Sequence, residues 1–315
     1  VATVAVVGAG LSGLTAARGL SDAGHRVVVV DKGRRPGGRL ATEQFDGGAR
    51  ADKGAQFFTV RTPELAGRVR TWTDAGLVGE WCRGFGTLDG HPRYVVRGGT
   101  AGLAAHLSEG LDVRSSVHVE AVRPGGRGWV VSWPGRQGGL AGVVHADVVV
   151  LTSPVPQSAA LLAGTGVDVP DVSYDATLSL TVALDGPAAV PEPGGVQLVD
   201  DPVWSWVGDN LAKGTSPAPA VTLHTTAAQA SARWDDGGEP LLAELLEAAA
   251  PWLGRAGVLD ARVHRWRYAT PTEPRPERCL EVAPGLVLAG DAFGGPRVEG
   301  AFQSGLAAAR HIGRP

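Results

Sequence analysis

Residues 4–39, VAVVGAGLSGLTAARGLSDAGHRVVVVDKGRRPGGR, constrain the fold more than any other stretch of this 315-residue chain. Val4–Val7 is an apolar run of the kind a strand buried on both faces requires. Gly8, Gly10 and Gly13 follow at once in the spacing G-x-G-x-x-G. The first glycine permits a tight turn, the second lets backbone approach a pyrophosphate, and the third lets a helix pack closely on the strand. That helix is expected from Leu11 to about Ala23, with Leu14, Ala17 and Leu20 on one face and Gly24 as its C-cap. A second strand, Arg26–Val30, ends at Asp31, 18 residues beyond Gly13, where a carboxylate can accept hydrogen bonds from ribose hydroxyls. Strand, glycine turn, helix, strand and acid together predict a dinucleotide site, with phosphates on the helix N-terminus.

The remainder suits two domains, or one domain with a large insertion. A helix is expected over Pro63–Gly76, a short strand over Tyr94–Gly99 and a helix over Thr100–Ser108. Val117–Val122, Gly128–Trp133 and Gly142–His145 read as a small antiparallel meander, and Asp147–Thr152 as another buried strand. After Ala163 the pattern changes. Leu178–Leu184, Gly195–Val199, Val203–Val207, Val221–Thr225 and Ala261–Tyr268 read as strands, several alternating, and Glu239–Leu253 as an amphipathic helix. The expected fold class is α/β: a doubly wound, Rossmann-like domain with an inserted antiparallel-sheet α+β substrate domain. The expected division is 1–70, 92–163 and 275–315 for cofactor binding, and 71–91 and 164–274 for substrate.

Composition excludes several classes. At 43% hydrophobic and 19% charged residues with net charge −3, the chain has no basic run or aromatic-interleaved patch for nucleic acid. Its longest apolar stretches are strand-sized, so no membrane span is expected. No leader pattern precedes the first strand, and a cytoplasmic location is the default expectation. Cys82 and Cys279 lie far apart without metal-ligand spacing, so neither a disulfide framework nor a metal site is expected. Oligomeric state is left open.

A second strand–turn–helix unit closes the chain. Leu286–Ala289 reads as a strand, Gly290-Asp291 follows, and Gly300-Ala301 opens a helix running through Ile312. Such a unit, so far from the first, suits a cofactor longer than NAD. Asp291 could hold a ribityl hydroxyl of FAD. The helix N-terminus near Gly300-Ala301, with about half a positive charge, could face the pyrimidine edge of its ring and favour hydride acceptance.

These pieces resemble the flavin amine-oxidase superfamily and, within it, the bacterial renalase-type proteins. The resemblance rests on VAVVGAGLSGLTAARGL, Gly37-Gly38-Arg39, Asp52-x-Gly54-Ala55-Gln56-Phe57-Phe58-Thr59, Trp266-Arg267-Tyr268-Ala269, and Gly290-Asp291-Ala292-Phe293 running into Arg297-Val298-Glu299-Gly300-Ala301. The family usually has Tyr at the position of Phe57 and more often Glu at that of Asp31. The resemblance implies noncovalent FAD, since no attachment motif occurs. It implies cofactor contacts at Gly8, Gly10, Leu11, Ser12, Gly13, Asp31, Lys32, Gly38, Arg39, Leu40, Gly54, Ala55, Gln56, Phe57, Val119, Thr152, Gly290, Asp291, Glu299, Gly300 and Ala301. Arg39 would lie along the pyrophosphate, Val119 would touch adenine through its backbone, and Gly54–Gln56 would approach the ring. A solvated Arg39 and a structural Gln56 remain the alternatives.

The resemblance further implies a small-molecule substrate: a dihydronicotinamide dinucleotide reduced at the 2- or 6-position. It would be oxidised by hydride transfer to flavin N5, with O2 reduced to hydrogen peroxide. No catalytic residue is assigned. Pocket candidates are Gln56, Phe58, Trp206, His224, Tyr268 and Arg297, each of which also suits a core or surface role. The alternatives are an FAD-dependent amine oxidase or desaturase, a non-catalytic flavin-binding protein, and an NAD-dependent dehydrogenase.

Overall fold

Val4, Ala5 and Val6 are completely buried, as are Val149, Val150 and Leu151. Strands so apolar need cover on both faces, and in a parallel sheet the connecting helices supply it. In the computed structural model, which describes residues 1–135 and 141–313, they lie side by side in a six-stranded sheet. The strand order is Leu280–Ala283, Leu286–Leu288, Val148–Leu151, Thr3–Val7, Arg26–Val30, Asp112–Arg114. All neighbours are parallel except the first pair, which is antiparallel. This sheet belongs to the first of two units, Val1–Gly38, Ala104–Ser173 and Pro271–Pro315. The fold is the expected mixed α/β class with a Rossmann-like sheet.

The first helix, Leu11–Asp22, follows the first strand, and Gly24 beyond it adopts the left-handed conformation (φ 85°). The last helix, Val298–Ile312, packs directly on it. A Cβ on Gly305 would sit 2.2 Å from Ser12 O, and one on Gly19 would sit 2.9 Å from Ala309 Cβ. Small residues thus set how closely the two helices approach. The last helix begins at Val298, two residues before the expected Gly300, because a short turn of helix, Asp291–Gly294, takes up the preceding segment.

One expected strand is misplaced. Residues 117–120 are not extended in a ladder; the meander begins at Ala121–Gly125 and continues through Gly128–Trp133 and Gly142–Ala146. Ser116 N donates to Gly33 O and Val117 N to Asp31 O, each at 2.8 Å, tying this segment to the end of the second strand instead. The edge strand Asp112–Arg114 carries two charged residues in three and gives no apolar signal.

The second unit is Arg39–Leu103 and Tyr174–Thr270. Its five-stranded sheet has the order Gly195–Gln197, Trp204–Asp209, Ala220–Thr225, Tyr174–Leu184, Val258–Pro271. Leu178, Leu180, Val182, Val207, Val221 and Leu223 form one face and share a core with Leu241, Leu245, Ala249 and Leu253 of the helix Gly238–Leu253. Strand alternation puts Ser179, Thr181, Trp206, Gly208, Thr222 and His224 on the other face. A long hairpin, Val78–Phe85 with Thr87–Val96, replaces the short strand expected at Tyr94–Gly99. Its register shifts near Cys82, which breaks the period-two pattern that would have announced it.

Candidate functional site

In the first unit the glycine turn is built by contacts that admit no side chain. Gly8 has φ 109°, and a Cβ there would lie 2.5 Å from Thr152 Oγ1. A Cβ on Gly13 would lie 1.9 Å from Gly8 O. Thr152 Oγ1 is placed 3.1 Å from both Val7 O and Gly8 O, so its hydroxyl pins the turn from the neighbouring strand. Gly10 differs: its φ is an ordinary −76°, and a Cβ would meet nothing nearer than Gly37 O at 4.0 Å. The space over Gly10 is therefore open, beside the free amides at the start of the first helix. Ser12 Oγ and Thr15 Oγ1 are buried in that helix without hydrogen-bond partners. An open glycine, a helix N-terminus and an unpartnered hydroxyl fit a diphosphate.

Asp31 is more constrained than the sequence shows. Its Oδ2 accepts from Ala9 N and its Oδ1 from Gly33 N, both at 2.6 Å. Each oxygen keeps a second lone pair for a ribose hydroxyl, and the carboxylate also braces the turn. Gly37 N donates to Ala9 O at 2.8 Å, bringing Gly37-Gly38 alongside Gly10; Gly38 has φ 55°. Lys32 is exposed, with Nζ 3.5 Å from Gln157 Oε1, and Val119 is buried.

At the other end of the sheet, Gly290 has φ 133° and donates its amide to Ser304 Oγ at 2.8 Å. Asp291 is buried at the start of the turn that follows. Gly294 and Gly300 cross so closely that a Cβ on either would overlap the other's backbone segment. The first intrahelical bond of the last helix is Ala301 N to Arg297 O. The amides of Val298, Glu299 and Gly300 therefore precede the hydrogen-bonded ladder, shifting the expected N-terminal site toward Val298. Arg297 itself is exposed.

In the second unit, Asp52 and Lys213 form a buried ion pair, Nζ to Oδ2 3.3 Å, with side chains 1% and 0% exposed. Asp52 Oδ1 also accepts from Thr42 Oγ1, Thr100 N and Thr100 Oγ1, and Oδ2 from Thr215 Oγ1. Lys213 Nζ donates further to Gln56 Oε1 at 2.9 Å and Gln56 O at 3.4 Å. Burial pushes the Lys213 ammonium down in pKa, with Asp52 opposing that shift. Gln56 Nε2 donates to Asp52 O and Gly54 O. The Gln56 carboxamide is thus occupied within the protein on both its oxygen and its nitrogen. Sequence reasoning quoted Asp52 without a role and passed over Lys213, one of only three lysines in the chain.

Lys53 O is a second junction. His224 Nε2 and Trp266 Nε1 both lie 3.0 Å from it. A carbonyl only accepts, so the His224 proton is on Nε2. Burial pushes His224 down to about 4, and burial with the nearby Lys53 charge does the same for His264, so both rings are neutral at pH 7. Gly54 marks a backbone crossing, since a Cβ there would lie 2.1 Å from Arg39 O. Arg39 Nη1 donates to Tyr268 O and Ala269 O, and Ala55 N to Arg39 O. The Tyr268 ring stands edge-on to Tyr174. Leu40 and Phe58 are buried, and Phe58 exchanges backbone hydrogen bonds with Tyr94 and stacks on its ring. Phe57, Trp81, Phe85 and Trp206 form an aromatic cluster. Among the described residues no group of three or more His, Cys, Asp or Glu is placed to hold a metal ion, and no helix is long and apolar enough to cross a membrane.

Sheet order and glycine turn define a dinucleotide-binding enzyme fold. Residues 6–72 match the NAD(P)-binding Rossmann-like domain. Residues 71–313 match the model for flavin containing amine oxidoreductases, and the chain belongs to that family. Among curated relatives, it is 43% identical over 77 residues to a lysine-specific histone demethylase 1 homolog 3 of Oryza sativa subsp. indica (24% of this chain, 8% of that protein). It is 53% identical over 53 residues to an L-amino-acid oxidase of Siganus canaliculatus (16% of this chain, 10% of that protein). The matched segment is a small part of either relative. A solved putrescine oxidase bound to putrescine superposes with TM-score 0.73 at 18% identity, covering 99% of both chains, a likeness of fold.

Proposed function

We propose that this chain is a renalase-like FAD-dependent oxidase whose substrate is a dihydronicotinamide dinucleotide reduced at the 2- or 6-position. The observation that carries the reading is the state of the titratable groups around the Lys53–Gln56 turn. Lys213 and Asp52 are consumed by each other and by Gln56. His224 and His264 are held neutral, and His224 spends its one proton on Lys53 O. Such surroundings suit a substrate that needs no proton removed. Loss of hydride from a dihydronicotinamide gives the aromatic cation directly. FAD, when bound, would supply the hydride acceptor and would make the two electrons available to O2, which with one proton from solvent and the one carried as hydride would give hydrogen peroxide.

The chain's own part is then binding, orientation and exclusion of water. Gly8, Gly10, Leu11, Ser12 and Gly13 would hold the pyrophosphate and Asp31 the ribose, with Val119 and Thr152 alongside. Gly290, Asp291, Glu299, Gly300 and Ala301 would serve the ribityl and ring end. The roles expected for Lys32, Gly38, Arg39, Leu40 and Gly54–Phe57 stand on the family resemblance, as does noncovalent attachment. The proposed division of labour assigns cofactor binding to the Rossmann-like sheet and substrate binding to the antiparallel sheet. An amine substrate is the second reading, favoured by the family match over residues 71–313.

Air-saturated holoprotein offered borohydride-reduced NAD isomers and, separately, a panel of amines including putrescine discriminates the two. Peroxide from the dihydronicotinamides alone is expected; peroxide from amines alone, or from neither, overturns the assignment.

A further inference from the structure

Among the described residues, three of the four edge strands of the two large sheets are short. Asp112–Arg114 and Gly195–Gln197 have three residues each, and Leu280–Ala283 has four. The fourth, Val258–Pro271, runs for 14 residues, against 11 in Tyr174–Leu184, the strand on its inner side. Among the described residues its outer edge has no strand beside it. Residues 258–270 contain no proline or glycine to interrupt that edge. Such an edge presents a row of backbone donors and acceptors to another strand. Arg39 bonds to the carbonyls of Tyr268 and Ala269 near the far end, so the candidate stretch is the first half.

That first half is complementary to itself when reversed. Val258, 44% exposed, and Leu259, 67% exposed, are consecutive large apolar residues in solvent. Alternation puts Leu259 on the face of Ala261 and Val263, both packed against the apolar core, and puts Asp260 and Arg262 on the other. A second copy laid antiparallel, Ala261 opposite Ala261, sets Asp260 against Arg262 and Leu259 against Val263, each twice. Opposite charges and apolar pairs directly across a ladder both attract. Within the chain, Arg262 Nη1 donates to Glu43 and Nη2 to Asp260. Arg262 and Asp260 are nevertheless 45% and 39% exposed. The guanidinium keeps further N–H groups for a second carboxylate, and an exposed pair of this kind is weak enough to be shared.

We propose that two copies of this chain associate through this edge, residues 258–264 pairing antiparallel about a two-fold axis at Ala261 and joining the two five-stranded sheets into one. The contact is isologous, so it closes at a dimer. It is small, so association is weak and concentration-dependent. Because charge pairs set the register, it is also weakened by salt.

The test is sedimentation velocity of the FAD-loaded protein from about 1 to 100 μM, the range expected of a small interface. Wild type should pass from monomer to dimer across that range. Asp260→Arg and Arg262→Asp each set like charges opposite one another twice, and each alone should weaken the dimer about tenfold or more. Mixed together, the two variants regain opposite charges at both positions and should associate about as tightly as wild type. Mixing would repair neither an interface elsewhere on the molecule nor damage from losing the Arg262–Glu43 bond. Leu259→Lys, at an exposed position, leaves both charges in place; it should also weaken the dimer and serves if a charge variant folds poorly. Wild type that stays monomeric throughout, single variants that dimerise as wild type does, or a mixture that remains monomeric overturns the proposal.

Discussion

Gly10→Ala and Gly13→Ala differ by three positions in one turn, and the structure assigns them opposite consequences. At Gly13 the new Cβ would sit 1.9 Å from Gly8 O and 2.8 Å from Thr152 Oγ1. The first contact is backbone held by the sheet, so the helix must move off the strand, at a cost of about 3 kcal/mol or more. At Gly10 the nearest atom is 4.0 Å away and φ is −76°, so alanine fits without strain. Losing a glycine N-cap costs the apoprotein at most about 1 kcal/mol. The added methyl instead fills the space where a diphosphate would approach the helix amides. Losing one or two charge-assisted hydrogen bonds, at about 1.5–3 kcal/mol each, corresponds to roughly a hundredfold loss of FAD affinity. Thermal unfolding of the apoprotein and fluorescence titration with FAD separate these effects. Gly13→Ala should fail in the first measurement and Gly10→Ala only in the second. If Gly10→Ala binds FAD as wild type does, the pyrophosphate does not lie on this turn.

Lys213→Met should destabilise the protein by about 3–5 kcal/mol in urea unfolding, since it strands the buried Asp52 carboxylate; a loss below about 1 kcal/mol would show that the pair is not a structural hub. His224 titrates near 4 when folded and near 6.5 when unfolded, so the unfolded chain binds the extra proton between those values. Stability is full above pH 6.5 and falls as pH drops to 4, by up to about 3 kcal/mol from this residue. His224→Gln should flatten that slope, and an unchanged pH profile contradicts the burial. Gly305→Val, with its Cβ 2.2 Å from Ser12 O, should separate the first and last helices and sharply lower the melting temperature. Acid precipitation of the holoprotein should leave FAD in the supernatant, whereas flavin that stays with the pellet would indicate covalent attachment.

The Rossmann-like half of the molecule was legible because its signals are local. Gly13 answers to Gly8 O within the same turn and Gly10 to open space over the helix N-terminus, and Val4–Val7 and Val149–Leu151 are short apolar runs that the parallel sheet buries. The edge strand Asp112–Arg114 escaped detection since its charged residues need no cover. The second unit was harder. Asp52 is satisfied by Thr42, Thr100, Lys213 and Thr215, residues up to 163 positions away, none forming a motif with another. Trp206 and His224 were recognised as pocket candidates, but their tautomer, missing partner and shared row on the sheet come only from strand register. Gln56, read as facing either ligand or protein, turns its carboxamide to Lys213 and the backbone.

The most direct test of the proposed chemistry is anaerobic mixing of the FAD-loaded protein with purified 2- and 6-dihydro isomers of NAD while flavin absorption and the nucleotide product are followed together. Rapid bleaching of the flavin with one NAD⁺ formed per flavin, and no bleaching by putrescine, is the predicted result. Bleaching by amines alone, or flavin left oxidised by both dihydro isomers, would contradict it.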